Sequence, residues 1–188
     1  IRDSNTALCF GGGTPSNTAN TESFDGTNWT EVNNLNTARA NMASAGDATS
    51  ALSIGGYSTA VVAIVELWDG TSWTETTDLS TGRYFMAGAG TATAGLGMGG
   101  ETSTAAVTNN EEWNANAPVG AWSTGGSMNT ARSAMANAGT QTAALGAGGN
   151  PGTQVLTELY DGTSWTEVNE KYGFKKLYPL LKFCFWDI

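Results

Sequence analysis

The chain contains no histidine. Histidine is the most frequent general base in enzymes and the most frequent neutral metal ligand, so its absence argues against most hydrolytic and metal-dependent mechanisms. The two cysteines, Cys9 and Cys184, form no metal-ligand spacing and no CxxC motif. We therefore expect a protein that is not an enzyme and that holds neither a metal ion nor a cofactor.

Basic residues are scarce and unevenly distributed. All four lysines lie in the last 18 residues, so residues 1–170 carry four Arg against sixteen Asp and Glu, a net charge of −12. An acidic surface repels phosphate groups, and we therefore expect neither nucleic acid nor an anionic membrane as a partner. No apolar run is long enough to span a bilayer.

A seven-residue motif recurs along the sequence. Residues 69–75, Asp-Gly-Thr-Ser-Trp-Thr-Glu, return almost unchanged at 25–31 and 161–167, and a degenerate copy ends at Trp122. A Leu-x-x-Gly-Gly segment recurs at a similar spacing, and a period of 40 to 50 residues is typical of propeller blades. This periodicity divides residues 1–169 into repeats at about 6–48, 49–92, 93–141 and 142–169, and leaves a divergent tail at 170–188.

Each repeat has the pattern of four short strands. The first follows a periodic Arg and consists mainly of Ala, Gly, Ser and Met, as at 40–46, which suits a strand crowded near a central axis. The second runs into the Gly pair, where the missing Cβ permits close backbone approach or a positive φ. The third, as at 61–68, is rich in β-branched residues. An Asp-Gly hairpin turn then leads into the fourth, which carries the periodic Trp.

Four short strands cannot bury both faces of one small sheet, so the repeats are expected to stack. Radial stacking produces a β-propeller, and linear stacking produces a β-solenoid. The repeat length and the order of Gly pair, aromatic residue and Trp favour the propeller. We predict an all-β propeller of about four four-stranded blades with a short non-repeat tail.

The order of these residues resembles the kelch repeat, which has an Arg, a strand ending in Gly-Gly, an aromatic residue followed by Asp, and then a Trp. In this chain one set of these residues is Arg39, Gly55-Gly56, Trp68-Asp69 and Trp73. The resemblance covers residues 6–169, although the spacing from the aromatic residue to the Trp is tighter than in the usual kelch pattern. The phrases Asn-Thr-Ala-Arg and Tyr-Asp-Gly-Thr-Ser-Trp-Thr-Glu resemble the Thr/Asn-rich kelch-like repeats of virion structural and tail-fibre proteins in aquatic bacteriophages.

This resemblance implies an extracellular or virion-borne module that attaches to a host-surface receptor or glycan. Other virion proteins and further copies of the chain are the additional partners that it implies. The alternative is a purely architectural subunit that assembles with itself or with a capsid or tail partner and binds no glycan. Copper oxidases that act on galactose also use a kelch-like propeller, but their sites need His ligands, which this chain lacks.

Side chains that recur in every repeat are expected to serve the fold, because a catalytic site would not be repeated in each blade. The periodic Glu and Arg residues predict buried ion pairs between strands or blades. The periodic aromatic residues predict an inter-blade core rather than a sugar-binding surface. The acids of the seven-residue motif could suggest calcium, but they supply too few oxygen ligands, so the turn interpretation is favoured.

Non-periodic loops are the better candidates for binding, because the fold does not require their side chains. The loops after the Gly pairs differ in every repeat, and variable loops on one face of a rigid scaffold commonly carry function. The candidate ligand-binding residues are Tyr57, Glu101 and Asn150 in these loops, and Asn114 and Asn116 in an insertion at 114–120.

The tail departs from the repeat pattern at residue 171. Glu22 precedes Arg39 by 17 residues, and the residue 17 positions after Glu158 is Lys175. The first repeat lacks a first strand, so one hypothesis is that the tail supplies it and closes the ring. The alternative is a separate arm that docks on a partner or is disordered. A Cys9–Cys184 disulfide is not expected, because Cys184 would fall several residues out of register.

Overall fold

The computed structural model describes residues 5–13, 15–117, 120–152 and 155–168. These residues form fifteen β-strands, and none of them lies in a helix. A helix capable of crossing a membrane is accordingly absent from this part of the chain. The strands, in chain order, are β1 (Ala7–Phe10), β2 (Thr21–Phe24), β3 (Trp29–Val32), β4 (Ala43–Gly46), β5 (Ala51–Ile54), β6 (Val65–Trp68), β7 (Trp73–Glu75), β8 (Ala87–Gly90), β9 (Ala94–Met98), β10 (Asn110–Asn114), β11 (Ala121–Thr124), β12 (Ala136–Thr140), β13 (Ala143–Ala147), β14 (Thr157–Tyr160) and β15 (Trp165–Val168).

The strands form four antiparallel sheets in which sequence neighbours pair. Sheet 1 contains β1 to β3, sheet 2 contains β4 to β7, sheet 3 contains β8 to β11, and sheet 4 contains β12 to β15. The prediction of an all-β fold is confirmed, and sheets 2 to 4 have the four strands expected for each repeat. Sheet 1 has three described strands, because its first strand, β1, corresponds to the second strand of the other sheets. This arrangement is compatible with a propeller-like fold.

The Asp-Gly hairpins form as the sequence predicts. Trp68 and Trp73 pair across the turn that joins β6 to β7, and Gly70 has a φ of 93°, which a residue with a Cβ rarely adopts. The carboxylate of Asp69 accepts hydrogen bonds from the N–H groups of Thr71 and Ser72 at 2.8 Å each. These bonds close the turn locally. The same two bonds recur at Asp25 and Asp161.

The first strand of each repeat is shorter than its composition suggested. The pattern predicted a strand over 40–46, whereas β4 begins at Ala43. Asn41 interrupts the pairing because it has a φ of 57°, and Phe85 and Ala134 have similar values at the corresponding positions. A left-handed residue turns the chain out of the strand, so the residues before it pair separately as isolated bridges.

We refer to β4, β8 and β12 as the inner strands, because they lie side by side and link sheets 2, 3 and 4. A Cβ at Gly88 of β8 would lie 2.4 Å from the carbonyl oxygen of Ser44 in β4, so the two backbones are in direct contact. The Phe85 N–H also donates to the Asn41 carbonyl at 2.9 Å, and the Ala134 N–H to the Phe85 carbonyl at 2.8 Å. The small residues predicted near an axis are therefore needed for close approach of the backbones.

The core lies between adjacent sheets. Leu52, Ile54 and Leu96 are fully buried there, and burial of each such side chain stabilises the fold by about 1.5–3 kcal/mol. The prediction that periodic aromatic residues form an inter-blade core is confirmed for five of the eight, whereas Phe24 and Trp122 are partly buried and Trp29 is 51% exposed. The five buried rings are Trp68, Trp73, Trp113, Tyr160 and Trp165.

The hypotheses about the tail concern residues outside the described part of the chain. The same is true of Cys184, one half of the disulfide that the sequence argued against. Cys9, by contrast, lies on β1, where it is exposed with a free thiol.

Candidate functional site

A buried ion pair in each of sheets 2, 3 and 4 holds the loop that follows the Gly pair. Arg39 Nη2 lies 2.9 Å from Glu66 Oε1, and both side chains are fully buried. Arg39 Nη1 donates to the carbonyls of Gly55 and Ile64 at 2.6 and 2.8 Å, so one guanidinium binds both ends of the loop. Burial lowers the pKa of Arg39, and the Glu66 carboxylate opposes that shift. The predicted ion pairs are confirmed, the other two being Arg83–Glu111 and Arg132–Glu158.

Three of the predicted ligand-binding residues lie at the same end of the sheets. Each forms an isolated β-bridge to the segment just after the buried Arg of its own sheet: Tyr57 to Ala40, Glu101 to Tyr84, and Asn150 to Ser133. We call the surface formed here the loop face. It comprises Asn17, Asn41, Tyr57, Tyr84, Phe85, Glu101, Ser133 and Asn150.

Contacts on the loop face connect sheets 1, 2 and 3. Asn17 of sheet 1 donates from Nδ2 to the carbonyls of Tyr57 and Ser58 at 2.9 and 2.6 Å. The ring of Tyr57 lies 6.0 Å from the ring of Tyr84 in sheet 3, centroid to centroid. Because these contacts cross sheet boundaries, the loop face is one continuous surface from sheet 1 to sheet 3.

Glu101 extends the same surface to sheet 4. Its Oε2 accepts a hydrogen bond from the Tyr84 hydroxyl at 3.1 Å, and its Oε1 accepts one from the Ser133 hydroxyl. The bond to Glu101 raises the pKa of the Tyr84 hydroxyl, because it stabilises the protonated phenol. Two donors therefore fix the orientation of a carboxylate on a partly exposed surface.

Aromatic rings give the loop face an apolar area beside this carboxylate. Tyr57 is 41% exposed and Phe85 is 38% exposed. Tyr84 lies between them, with its ring centroid 4.8 Å from that of Phe85. The backbone around Phe85 is held by hydrogen bonds to Asn41 on one side and to Ala134 on the other. The rings are thus presented to solvent from a fixed backbone.

No cationic side chain is exposed anywhere in the described part of the chain. The described cations are Arg39, Arg83 and Arg132, and each is buried in an ion pair. Acidic side chains, by contrast, remain at the surface, as at Glu75 and Glu167. The surface formed by the described residues therefore carries charge of one sign and offers an anionic ligand no cationic partner.

Asn114 and Asn116 lie at the opposite end of the sheets from the loop face. Asn114 is the last residue of β10, a strand that begins at the loop-face end with Asn110. The Asn114 side chain accepts a hydrogen bond from the Asn116 N–H at 2.9 Å, which is a local turn interaction. The five predicted residues therefore do not form one site, and these two are separate from the other three.

Sequence reasoning missed Tyr84, Phe85 and Ser133. They directly follow periodic Arg residues and were assigned to regular strands, so their side chains were not considered as site residues. A signal was present, because the two residues after the Arg are Ala-Asn, Tyr-Phe and Ser-Ala in the three repeats. Differences between repeats are also the criterion by which the loops after the Gly pairs are predicted to bind a ligand.

The described residues contain no group of three or more acidic, Cys or His side chains that could hold a metal ion. The Asp carboxylates of the seven-residue motif instead accept backbone N–H bonds within their own turns. Those bonds lower the pKa of Asp25, Asp69 and Asp161. The geometry agrees with the turn interpretation of the motif.

Comparison with known proteins identifies no family. No family model matches the chain, and no curated protein matches it. Among solved structures, that of YjhT is similar, with a TM-score of 0.67 and 14% sequence identity, over 81% of this chain and 53% of the YjhT chain. The chain thus spans about half the length of that structure, and at this identity the likeness concerns the fold alone.

Proposed function

We propose that this chain is a non-enzymatic binding module, a kelch-like propeller of about four blades whose loop face takes an uncharged carbohydrate. The observation that carries the proposal is the row of rings formed by Tyr57, Tyr84 and Phe85 beside the oriented carboxylate of Glu101. Sugars present an apolar ring face next to hydroxyl groups, so a surface that binds them combines flat rings with hydrogen-bond acceptors.

Glu101 retains the capacity to bind a ligand. It accepts bonds from Tyr84 and Ser133, whereas a carboxylate has about four acceptor positions. A sugar hydroxyl could therefore donate to Glu101 while the pyranose ring stacks on Tyr57 or Phe85. No step of this recognition requires a metal ion or a titrating base.

The charge of the surface favours a neutral ligand. Exposed carboxylates would repel a sialylated, sulfated or phosphorylated glycan, and no cation among the described residues is exposed to bind it. Neutral sugars avoid that repulsion. The same reasoning disfavours nucleic acid and anionic membranes as partners.

The proposed setting is the surface of a virion or a tail fibre, where such a module would attach to glycans of the host surface. This part of the proposal rests on the likeness of the Thr/Asn-rich repeats to those of bacteriophage structural proteins. Other virion proteins would then be its neighbours.

An architectural subunit is the second candidate, and one observation favours it. All five residues of β12 are exposed, whereas the corresponding β8 alternates between buried and partly buried residues. The face of sheet 4 is therefore available to pack against another subunit. In this case the chain would assemble with copies of itself or with a capsid or tail partner and would bind no glycan.

A glycan array tests the primary proposal, with Tyr57→Ala and Phe85→Ala as site variants. Each should weaken binding of a neutral glycan about tenfold or more, because a stacked ring contributes roughly 0.5–1.5 kcal/mol beyond its buried area. Trp29→Ala is the matched control, because Trp29 is also an exposed ring but lies on β3 of sheet 1. Absence of binding by the folded chain, or equal loss in the control, would contradict the proposal.

A further inference from the structure

Sheet 1 differs from the other three sheets in lacking an inner strand among the described residues. In sheet 2, β4 covers β5, and every residue of β5 is buried. The corresponding strand of sheet 1 is β1, which has three partly buried residues and one exposed residue. Among the described strands, β1 lies at the end of its sheet, and no described strand pairs with its outer edge.

A groove lies along this edge. It has a volume of about 290 Å³ and is lined by β1 on one side and by residues 44–48 and Ala51 of sheet 2 on the other. Inner strands occupy the corresponding positions in sheets 2, 3 and 4. The groove is therefore located where the repeat pattern places a fourth strand of sheet 1.

Glu22, which pairs with Cys9 of β1 from the neighbouring strand β2, gives a strand added at this edge a specific charge requirement. The corresponding residues Glu66, Glu111 and Glu158 are each buried and paired with an Arg. Glu22 is exposed, and no described residue forms an ion pair with it. Glu22 is thus the acidic half of the repeated ion pair without its basic half.

The backbone that would receive an Arg is already in place. In sheet 2, Arg39 binds the carbonyls of Gly55 and Ile64, and the Gly55 N–H donates to Ile64 at 2.9 Å. In sheet 1, the Gly11 N–H donates to Asn20 in the same way, also at 2.9 Å. The loop of sheet 1 therefore has the same closure without a bound guanidinium.

The hydrogen bonds that link successive inner strands end at Asn41, just before β4. The Phe85 N–H donates to Asn41, and the Ala134 N–H donates to Phe85. The next donor in this series is the Asn41 N–H, which has no acceptor among the described residues. A strand in the groove would present a carbonyl at this position.

From these observations we propose that the groove between β1 and β4 accepts an extended segment of another polypeptide as an antiparallel strand. The segment carries an Arg four residues before a run of small side chains, as Arg39 precedes Ala43 and Arg83 precedes Ala87. Its Arg pairs with Glu22, and its backbone pairs with β1. Strand addition of this kind obtains affinity from main-chain hydrogen bonds and specificity from side-chain sites.

The small side chains are required by the close packing of inner strands. Even the Cβ of an alanine at position 88 would lie too near the backbone of Ser44, so a larger side chain would collide more severely. The chain's own residues 175–182 lie outside the described part and match this requirement less well. Lys175 supplies a cation, but Pro179 has no N–H to donate, and Leu180 and Leu181 are much larger than Ala or Gly. A segment with an Arg and small side chains therefore fits better than residues 175–182.

Alkylation of Cys9 in the full chain tests the proposal. Cys9 is exposed, whereas Ser53 at the corresponding position of sheet 2 is fully buried next to the Arg39 guanidinium. The Cys184→Ala variant leaves Cys9 as the single thiol. A peptide with the sequence of residues 36–46 is the probe, and at saturation it should slow the reaction of Cys9 with iodoacetamide at least tenfold.

The matched controls concern the ion pair. Replacing the Arg of the peptide by Ala, or Glu22→Gln in the protein, should raise the half-protecting peptide concentration about tenfold or more, since either change removes the charged hydrogen bond. Glu167→Gln on β15 should change nothing. The proposal is overturned if peptide leaves the rate unchanged. It is also overturned if Cys9 is already unreactive without peptide, because the chain's own residues would then fill the groove.

Discussion

The contact between sheets 2 and 3 can be tested with one substitution, Gly88→Ala, which replaces a hydrogen atom by a methyl group. Gly88 lies in β8, and a Cβ there would lie 2.4 Å from the carbonyl oxygen and 2.9 Å from the nitrogen of Ser44. Both atoms belong to the backbone of β4, so no side-chain rotation can relieve the collision. Gly88→Ala must therefore move the two sheets apart or distort both inner strands.

The expected loss in the free energy of unfolding is about 2–3 kcal/mol. Overpacking of a well-packed interior costs about 1–3 kcal/mol, and the upper part of that range applies because the colliding atoms are main-chain atoms. For a chain of this size, this loss corresponds to a Tm lower by roughly 5–10 °C. Urea unfolding followed by tryptophan fluorescence measures the first quantity, and calorimetry measures the second.

Gly97→Ala is the control, because Gly97 pairs directly with Gly88 across the β8–β9 ladder. A Cβ at Gly97 would meet its nearest neighbours at 3.8 Å, which is ordinary van der Waals contact. This variant should be as stable as the parent, or more stable by about 0.4–1 kcal/mol through the restricted unfolded chain. Equal stability of the two variants would refute the proposed backbone contact between β4 and β8.

Three further predictions concern the polar groups. Arg83→Met leaves Glu111 buried without its cation, and we expect the free energy of unfolding measured in urea to fall by about 3–5 kcal/mol, with partial recovery in the double variant Arg83→Met/Glu111→Leu. Burial and the hydrogen bond to Glu112 raise the pKa of Tyr160 from 10.0 to about 12. The contribution of Tyr160 to stability is therefore complete below pH 10 and is lost as the pH rises to 12. In pH-dependent unfolding experiments, Tyr160→Phe should reduce this loss of stability at alkaline pH. The backbone N–H bonds in its turn lower the pKa of Asp69 from 3.8. The contribution of Asp69 to stability is therefore present above pH 3.8 and is lost at lower pH. In an acid titration, Asp69→Ala should lose less stability than the parent.

Much of the fold could be predicted because the same local residue pattern recurs in successive repeats. Asp69 and Gly70 define a tight turn by themselves, since a carboxylate can cap it and glycine tolerates its positive φ. The partnership of Arg39 with Glu66 follows from two periodic residues of opposite charge. The strand ends were less predictable, because the left-handed conformation of Asn41 recurs at Phe85 and Ala134, and neither Phe nor Ala favours it.

The candidate site could be predicted only in part. Non-periodicity identified Tyr57, Glu101 and Asn150, and the structure places all three on the loop face. It did not reveal that Glu101 binds Tyr84 and Ser133, because those contacts join residues of different repeats. Local sequence contains no information on which loops meet across sheet boundaries.

The sequence by itself determined the repeat, the all-β class, the turns and the identities of the buried ion pairs, because these depend on residues close in the chain or related by its period. Only the tertiary structure decided which equivalent residues differ. Trp73 is buried and Trp29 is exposed, and Glu66 is paired with Arg39 whereas Glu22 has no ion-pair partner among the described residues. The physical reason is that burial and ion pairing depend on the neighbouring sheet and strand, and sheet 1 lacks an inner strand in the part of the chain that is described.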